Sequence, residues 1–174
     1  MASGTIPGIV YVERFLDQPD RLFRWAVENV VWDERIRARK TASCGLPYDY
    51  RGLAYAPAPF PPELDAVREQ VVREVGIAAN NCLLNYYPDG RARMGWHADA
   101  TTGLVGGVAI VSLGATRALR FRRTAQLDDR LDYVLAPGSM VYLPQSVHLA
   151  WQHAIPRTSR PDPRISLTFR ALAV

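Results

Sequence analysis

His97 and Asp99 stand two apart in M-G-W-H-A-D-A-T-T-G (residues 94–103). On an extended strand, residues i and i+2 point the same way, so this pair can offer an imidazole and a carboxylate to one point in space. Thr101 is the next residue on that face. Two donors hold a metal poorly. A third must arrive from elsewhere in the chain, and only two further histidines exist, His148 and His153. The same H-x-D spacing also suits a core histidine beside a turn aspartate, so the pair decides nothing by itself.

A second pattern shifts the balance. P-R-I-S-L-T-F-R (163–170) alternates, placing Arg164, Ser166, Thr168 and Arg170 on one face and Ile165, Leu167 and Phe169 on the other. Two arginines with two hydroxyls between them, facing inward beside a metal, form a receptor for a dicarboxylate. Guanidinium forks match carboxylates bidentately, and burial strengthens such charge-assisted bonds. Two histidines and one carboxylate on one face of an octahedron leave three positions open, the arrangement of non-haem Fe(II) oxygenases.

These groups need a scaffold. One helix is expected after Asp17, carried by Leu22, Phe23, Ala26, Val27 and Val30 at helical spacing. A second opens at Pro61-Pro62, runs through Leu64, Val67, Val71 and Val75, and stops at Gly76. Beyond it the pattern turns to short strands: 82–87, 108–113, 119–122, 132–135, 140–143 and 165–170. Pro88-Asp89-Gly90, Gly106-Gly107, Gly114, Pro137-Gly138, Pro144 and Pro156 punctuate them. Evenly spaced short strands suit an antiparallel sandwich or jelly roll. The apolar face of 163–170 would then pack on the helices, and its polar face would look into the barrel mouth, where a jelly roll holds its ligand.

The chain has 174 residues, enough for one domain with a real core. With 48% apolar and 22% charged residues it reads as globular, not disordered. The net charge of +4 is mild and rests almost wholly on arginine, Lys40 being the one lysine, so it does not by itself indicate nucleic-acid binding. Cys44 and Cys82 lack a C-x-x-C spacing, which points to a reducing compartment. No basic segment followed by an apolar one opens the chain, and no apolar run approaches the ~20 residues of a membrane span. A cytoplasmic protein with no membrane association is expected.

In order along the chain, L-L-N-Y-Y-P-D-G (83–90), W-H-A-D (96–99), V-S-L-G-A-T-R (111–117), L-A-P-G-S-M (135–140), W-Q-H-A-I-P (151–156) and P-R-I-S-L-T-F-R (163–170) follow one another. This ordered set resembles the AlkB-like Fe(II)/2-oxoglutarate-dependent dioxygenases over most of the chain. R-K-T-A-S-C-G-L-P-Y-D-Y (39–50) is similar to that family's substrate lid. The resemblance implies an α+β fold: a double-stranded β-helix (jelly-roll) core with N-terminal helices packed on one sheet. Residues 1–78 would supply helical support and lid, and 79–174 the catalytic core, within one domain spanning 1–174.

The resemblance also implies roles. His97, Asp99 and His153 would ligate Fe(II), His153 being the histidine in the W-x-H-x-x-P setting; His148 is then expected at the surface. Asn85 and Tyr87 would hydrogen-bond the cosubstrate 2-oxoglutarate. Arg164 would pair with its distal carboxylate and Arg170 would sit nearer the metal, with Ser166 and Thr168 between them. With O2 the reaction is oxidative demethylation of N-alkylated nucleobases in DNA or RNA, releasing formaldehyde, succinate and CO2. Tyr48, Tyr50, Arg51 and Thr101 would contact the substrate, a flipped base stacking on Tyr48 or Tyr50. Arg37, Arg39, Lys40 and Arg51, and separately Arg120, Arg122 and Arg123, lie close enough in sequence to touch phosphates.

Two positions depart from the family pattern. Thr101 stands where many repair members carry an acid that balances a cationic lesion, and Ser166 stands where an asparagine is common. The same oxygenase chemistry on a small metabolite, peptide or lipid is the alternative, and a non-catalytic binding module is a second. Nucleic acid is the expected partner, and the chain is expected to act as a monomer.

Overall fold

The computed structural model describes residues 5–50 and 52–173. The chain enters through β1 (Val10–Val12) and α1 (Pro19–Asn29), then β2 (Lys40–Gly45) and a small hairpin, β3 (Tyr48–Tyr50) with β4 (Leu53–Tyr55). Helix α2 (Pro62–Val75) precedes β5 (Asn81–Tyr87), β6 (Met94–His97), β7 (Leu104–Gly114), β8 (Arg117–Arg123), β9 (Gln126–Leu135) and β10 (Met140–Leu143). A six-residue helix, α3 (Gln145–Ala150), then leads into β11 (Trp151–Ile155) and β12 (Arg164–Leu172).

Both long helices form where the punctuation placed them. Helix α2 starts on proline with Glu63 and Asp65 in its first turn and Arg73 in its last, charges that oppose the helix dipole. It ends at Gly76, whose φ of 72° is the left-handed geometry that favours glycine as a cap.

The strands build two antiparallel sheets, one ordered β1-β10-β7-β12-β5-β2 and the other β6-β11-β8-β9. This is the expected jelly roll. Alternation along β12 divides its side chains between two layers. Ile165, Leu167 and Phe169 join Ala26, Leu64, Val67 and Val71 in a core between the larger sheet and the helices. The opposite face turns toward the smaller sheet, whose Leu119, Phe121, Trp151 and Ile155 pack against Tyr87, Val108, Ile110 and Val141. Arg164, Ser166, Thr168 and Arg170 are therefore sealed between the sheets, all at most 6% exposed.

The segment 140–143 is a strand over the expected residues, while other expected strands extend because their neighbours continue the ladder. Strand β12, flanked by β5 and β7, runs three residues beyond the expected bounds in total, starting at Arg164 and ending at Leu172. Strands β6 and β11, which bear the histidines, were not expected from periodicity.

Candidate active site

His97 ends β6 and pairs directly across the ladder with His153 of β11. Between that pair and the next, Met94 with Ile155, β6 carries two residues against one on β11. This β-bulge breaks simple alternation. It lets Met94 and His97 both face inward while Trp96 lies outside, its ring centre 4.4 Å from the Arg122 guanidinium. Asp99 is not on the strand, as strict alternation had implied; β6 stops at His97 and the carboxylate approaches from the following loop. The convergence still occurs. Donor atoms of His97, Asp99 and His153 all lie within 4.8 Å of one another.

The surroundings prepare these donors. The Nδ1 of His97 is 2.9 Å from the Gly95 carbonyl oxygen, so an Nδ1–H donates there and Nε2 is the ring nitrogen turned toward the other donors. That Nε2 is 3.7 Å from Asp99 Oδ1. Burial pushes the His153 pKa down to about 3, with His97 adding to the effect, so its imidazole is neutral. Burial alone would raise the Asp99 pKa, but the Arg170 guanidinium and then the imidazoles of His153, His97 and His148 outweigh it. The carboxyl is held below the usual range. Two imidazoles, that of His153 held neutral, and one carboxylate, clustered within 4.8 Å, fit a divalent metal of the non-haem iron type.

The β12 arginines frame this cluster. Six positions apart on one strand face, their Cα atoms are separated by about 20 Å, so they serve different ends of the chamber. Arg170 lies at the cluster end, with Nη2 3.5 Å from Asp99 Oδ2 and its guanidinium 4.7 Å from the Tyr48 ring centre. Arg164 is fully buried, stacks 5.2 Å over Tyr87, and donates from Nη2 to Ser112 Oγ at 2.8 Å. Its Nε and Nη1 are buried without a hydrogen-bond partner. Burial lowers its pKa to about 10, which leaves it cationic at neutral pH. A buried guanidinium with two unspent donors fits a carboxylate, which is the observation that qualifies the chamber for a dicarboxylate.

Several expected positions fall elsewhere. His148 is not at the surface: it is 5% exposed on α3, its ring centre 6.0 Å from that of His153, and neither ring nitrogen has a hydrogen-bond partner. Arg39 is 3% exposed and unable to reach a phosphate; its Nε donates to Asn85 Oδ1 at 2.7 Å and its Nη2 donates to the Tyr50 hydroxyl. Tyr50 is 6% exposed under that contact, and Tyr48 stacks on it at 6.3 Å, so the lid tyrosines are part of a packed layer. Thr101 sits in a turn rather than on a strand face, its carbonyl accepting from Leu104 N at 3.1 Å. Arg51 lies outside the described residues.

The second basic cluster is largely neutralised. Arg120 makes a two-pronged pair with Asp132, Arg123 pairs with Asp129, and Arg122 donates twice to Gln152. Sequence reasoning did not find Ser112 or the structural role of Arg39, because their partners are 52 and 46 residues away.

Comparison with known proteins agrees with this geometry. The sequence model of the 2OG-Fe(II) oxygenase superfamily matches residues 16–170. The DNA oxidative demethylase ALKBH2 of Mus musculus is 32% identical, the match covering 91% of this chain and 73% of that protein. The Bos taurus protein of the same name is 36% identical over 74% of this chain and 50% of its own length. The alpha-ketoglutarate-dependent dioxygenase alkB homolog 3 of Bos taurus is 28% identical over 90% of this chain and 63% of its own. The chain thus spans between half and three quarters of these relatives. Among solved structures, that of OsALKBH1 superposes with a TM-score of 0.73 at 18% identity, covering 97% of this chain and all of that one.

Proposed function

Because the chain belongs to the 2OG-Fe(II) oxygenase superfamily, which uses Fe(II), 2-oxoglutarate and O2, we propose that it removes N-linked alkyl groups from nucleobases. In this reading His97, Asp99 and His153 hold the iron on one face. Arg164 receives the distal carboxylate of 2-oxoglutarate on the donors it has free, and that pair of unspent donors is the observation that carries the reading. Tyr87 supports the Arg164 guanidinium from below, and Ser166 and Thr168 line the strand between the arginines. Asn85, fixed by Arg39, presents its amide to the same chamber. Arg170 keeps Asp99 ionised and oriented.

Iron held by His97, Asp99 and His153 would supply oxidation of an unactivated C–H bond, coupled to decarboxylation of 2-oxoglutarate to succinate and CO2. One oxygen atom of O2 would enter succinate and the other the methyl carbon; the C–N bond of the resulting hemiaminal then breaks, its carbon leaving as formaldehyde and its hydroxyl proton passing to the base nitrogen. The protein's part is ligation, orientation and exclusion of water. In the same reading Tyr48, Tyr50, Arg51 and Thr101 contact the base, Tyr48 being the lid tyrosine whose ring lies 4.7 Å from the Arg170 guanidinium.

The naming of two matched relatives as DNA oxidative demethylases supports nucleic acid as the substrate. We take residues 1–174 as one catalytic unit, 1–78 serving as support and lid for the core at 79–174, acting as a monomer. Among the described residues no helix is long and apolar enough to cross a membrane. The free thiols of Cys44 and Cys82 support a reducing, cytoplasmic setting.

The test is formaldehyde release from methylated oligonucleotides, run beside succinate formation. Release that Asp99→Ala abolishes is the expected result. Succinate without formaldehyde across several lesions would move the substrate to a compact molecule, and neither product would reject the oxygenase assignment.

A further inference from the structure

Strand β12 begins at Arg164, which pairs across the larger sheet with Tyr87 on one side and Gly114 on the other. Gly114, with a φ of 76°, ends β7 and turns the chain into the smaller sheet, where β8 begins at Arg117. The turn sets a second arginine beside the first. The Arg164 guanidinium lies 5.2 Å from the Tyr87 ring centre, and that of Arg117 lies 5.6 Å from the same centre. Two positive charges, one from each sheet, therefore share one ring and are at most about 11 Å apart.

Arg117 is enclosed like the core around it, at 3% exposure. Its donors are spent on main chain. Nη2 donates to the carbonyls of Ala92 at 2.9 Å and Pro156 at 2.6 Å, and Nη1 to that of Asp89 at 3.4 Å. These bonds fix the guanidinium and leave its charge. Among the described residues, the hydrogen bonds of Arg117 and Arg164 go to carbonyl or hydroxyl oxygens and none to a carboxylate. Burial is the main cause of the lowered Arg164 pKa; Tyr87 opposes it, and the Arg117 charge adds to it. Two buried like charges without a counter-ion are costly to each other, and the fold keeps both.

The two arginines differ in what they have left to give. Arg164 retains Nε and Nη1 without a partner, while Arg117 is tied to three carbonyls. We propose that Arg117 is a positioning residue in the selection of a dicarboxylate: it holds the Tyr87 ring, repels Arg164 toward the chamber, and adds its charge to the pull on a distal carboxylate. This rests on the reading of Arg164 as the receptor for 2-oxoglutarate. A ligand with a second carboxylate supplies the counter-charge that both arginines lack, whereas a 2-oxo acid with one carboxylate leaves them facing each other. Because the effect acts through the field, its size follows from distance: a unit charge about 12 Å away, at an effective dielectric constant of about 20, changes affinity about tenfold.

Binding is read from the anaerobic charge-transfer band of the Fe(II) complex, titrated with 2-oxoglutarate and separately with pyruvate, which has no distal carboxylate. Arg117→Gln should weaken 2-oxoglutarate binding about tenfold and change pyruvate binding by less than about twofold. Arg117→Lys, which keeps the cation, should stay within about threefold of the parent for both ligands. A merely structural role would separate neither the two ligands nor the two variants. Equal losses for both ligands, a lysine variant as weak as the glutamine one, or unchanged 2-oxoglutarate affinity in Arg117→Gln would each overturn the proposal. Should Arg117→Gln not fold, Arg117→Lys decides: affinity for 2-oxoglutarate near that of the parent supports the role of charge, and a loss of about tenfold overturns it. Arg164→Ala in the same titration separates the two readings. No effect there defeats the receptor and this proposal with it, whereas a loss there with none in Arg117→Gln defeats this proposal alone.

Discussion

The Nη2 of Arg170 lies 3.5 Å from Oδ2 of Asp99, and both side chains are sealed, at 4% and 6% exposure. One strand thus supplies the fixed cation that keeps a candidate iron ligand charged in a place where burial alone would protonate it. The same strand places Arg164 at the far end of the chamber with donors still to spend. Strand β12 thus carries both the cation beside Asp99 and the candidate receptor for a dicarboxylate.

Arg170→Ala should make metal binding depend on pH. Without the guanidinium, burial raises the Asp99 pKa, and a metal must then displace a proton from the carboxyl. Mn(II) titrations by calorimetry should show affinity lowered about tenfold near pH 6, with recovery at higher pH. Equal losses at both pH values would point to disrupted geometry instead of altered ionisation.

Arg164→Ala should leave Mn(II) affinity near that of the parent and weaken 2-oxoglutarate binding about 100-fold, the scale for truncating one partner of a buried charge pair. The anaerobic charge-transfer band of the Fe(II) complex reads this directly. Pyruvate, which lacks the distal carboxylate, should discriminate far less between parent and variant. A 2-oxoglutarate titration unchanged by the substitution would remove Arg164 from the receptor.

The parts of this site legible in the sequence are those carried by short-range pattern. Alternation in 163–170 placed both arginines on the chamber face, and the Pro61-Pro62 and Gly76 punctuation bracketed α2 closely. What escaped depends on distance or irregularity. The bulge in β6 comes from a mismatch with β11, which nothing within 94–97 announces. Arg39 reads as one more surface arginine until Asn85, 46 residues on, is brought beside it. His148 sits in P-Q-S-V-H-L-A, a polar-looking stretch that folds into a helical turn and buries Val147 and His148 together.

Arg39→Ala should loosen the lid. The guanidinium ties β5 through Asn85 to the β3–β4 hairpin through Tyr50, and its ring contact with Tyr50 adds a stacked cation at 5.4 Å. Losing a buried, charged donor to two partners costs about 2–4 kcal/mol. Amide hydrogen exchange over 48–55 should accelerate more than exchange in α2. Uniform acceleration would mean the arginine serves the whole fold and not the lid.

The metal-free protein should lose stability as pH falls from about 6.5 toward 3. His153 takes up a proton near 6.5 when unfolded but only near 3 when buried. In that window the unfolded chain holds the extra proton, so stability is complete above the upper value and declines toward the lower one. Burial also depresses His148, which contributes with the same sign. Melting temperatures of chelator-treated protein should follow this slope, and His153→Gln should flatten part of it; an identical slope in the variant would exclude His153 as a source.

His148→Leu should stabilise the protein. The imidazole is 5% exposed, both ring nitrogens lack a hydrogen-bond partner, and burial holds the ring neutral. Leucine nearly matches its bulk and removes two polar atoms whose desolvation goes uncompensated, a gain of about 1 kcal/mol or a rise of about 2–4 °C in Tm for a chain of this size. Since His148 lies outside the donor cluster of His97, Asp99 and His153, Mn(II) affinity should hold within about threefold of the parent. A drop in Tm together with a large loss of metal affinity would show instead that the ring holds His153 in place, making His148 a positioning residue of the iron site.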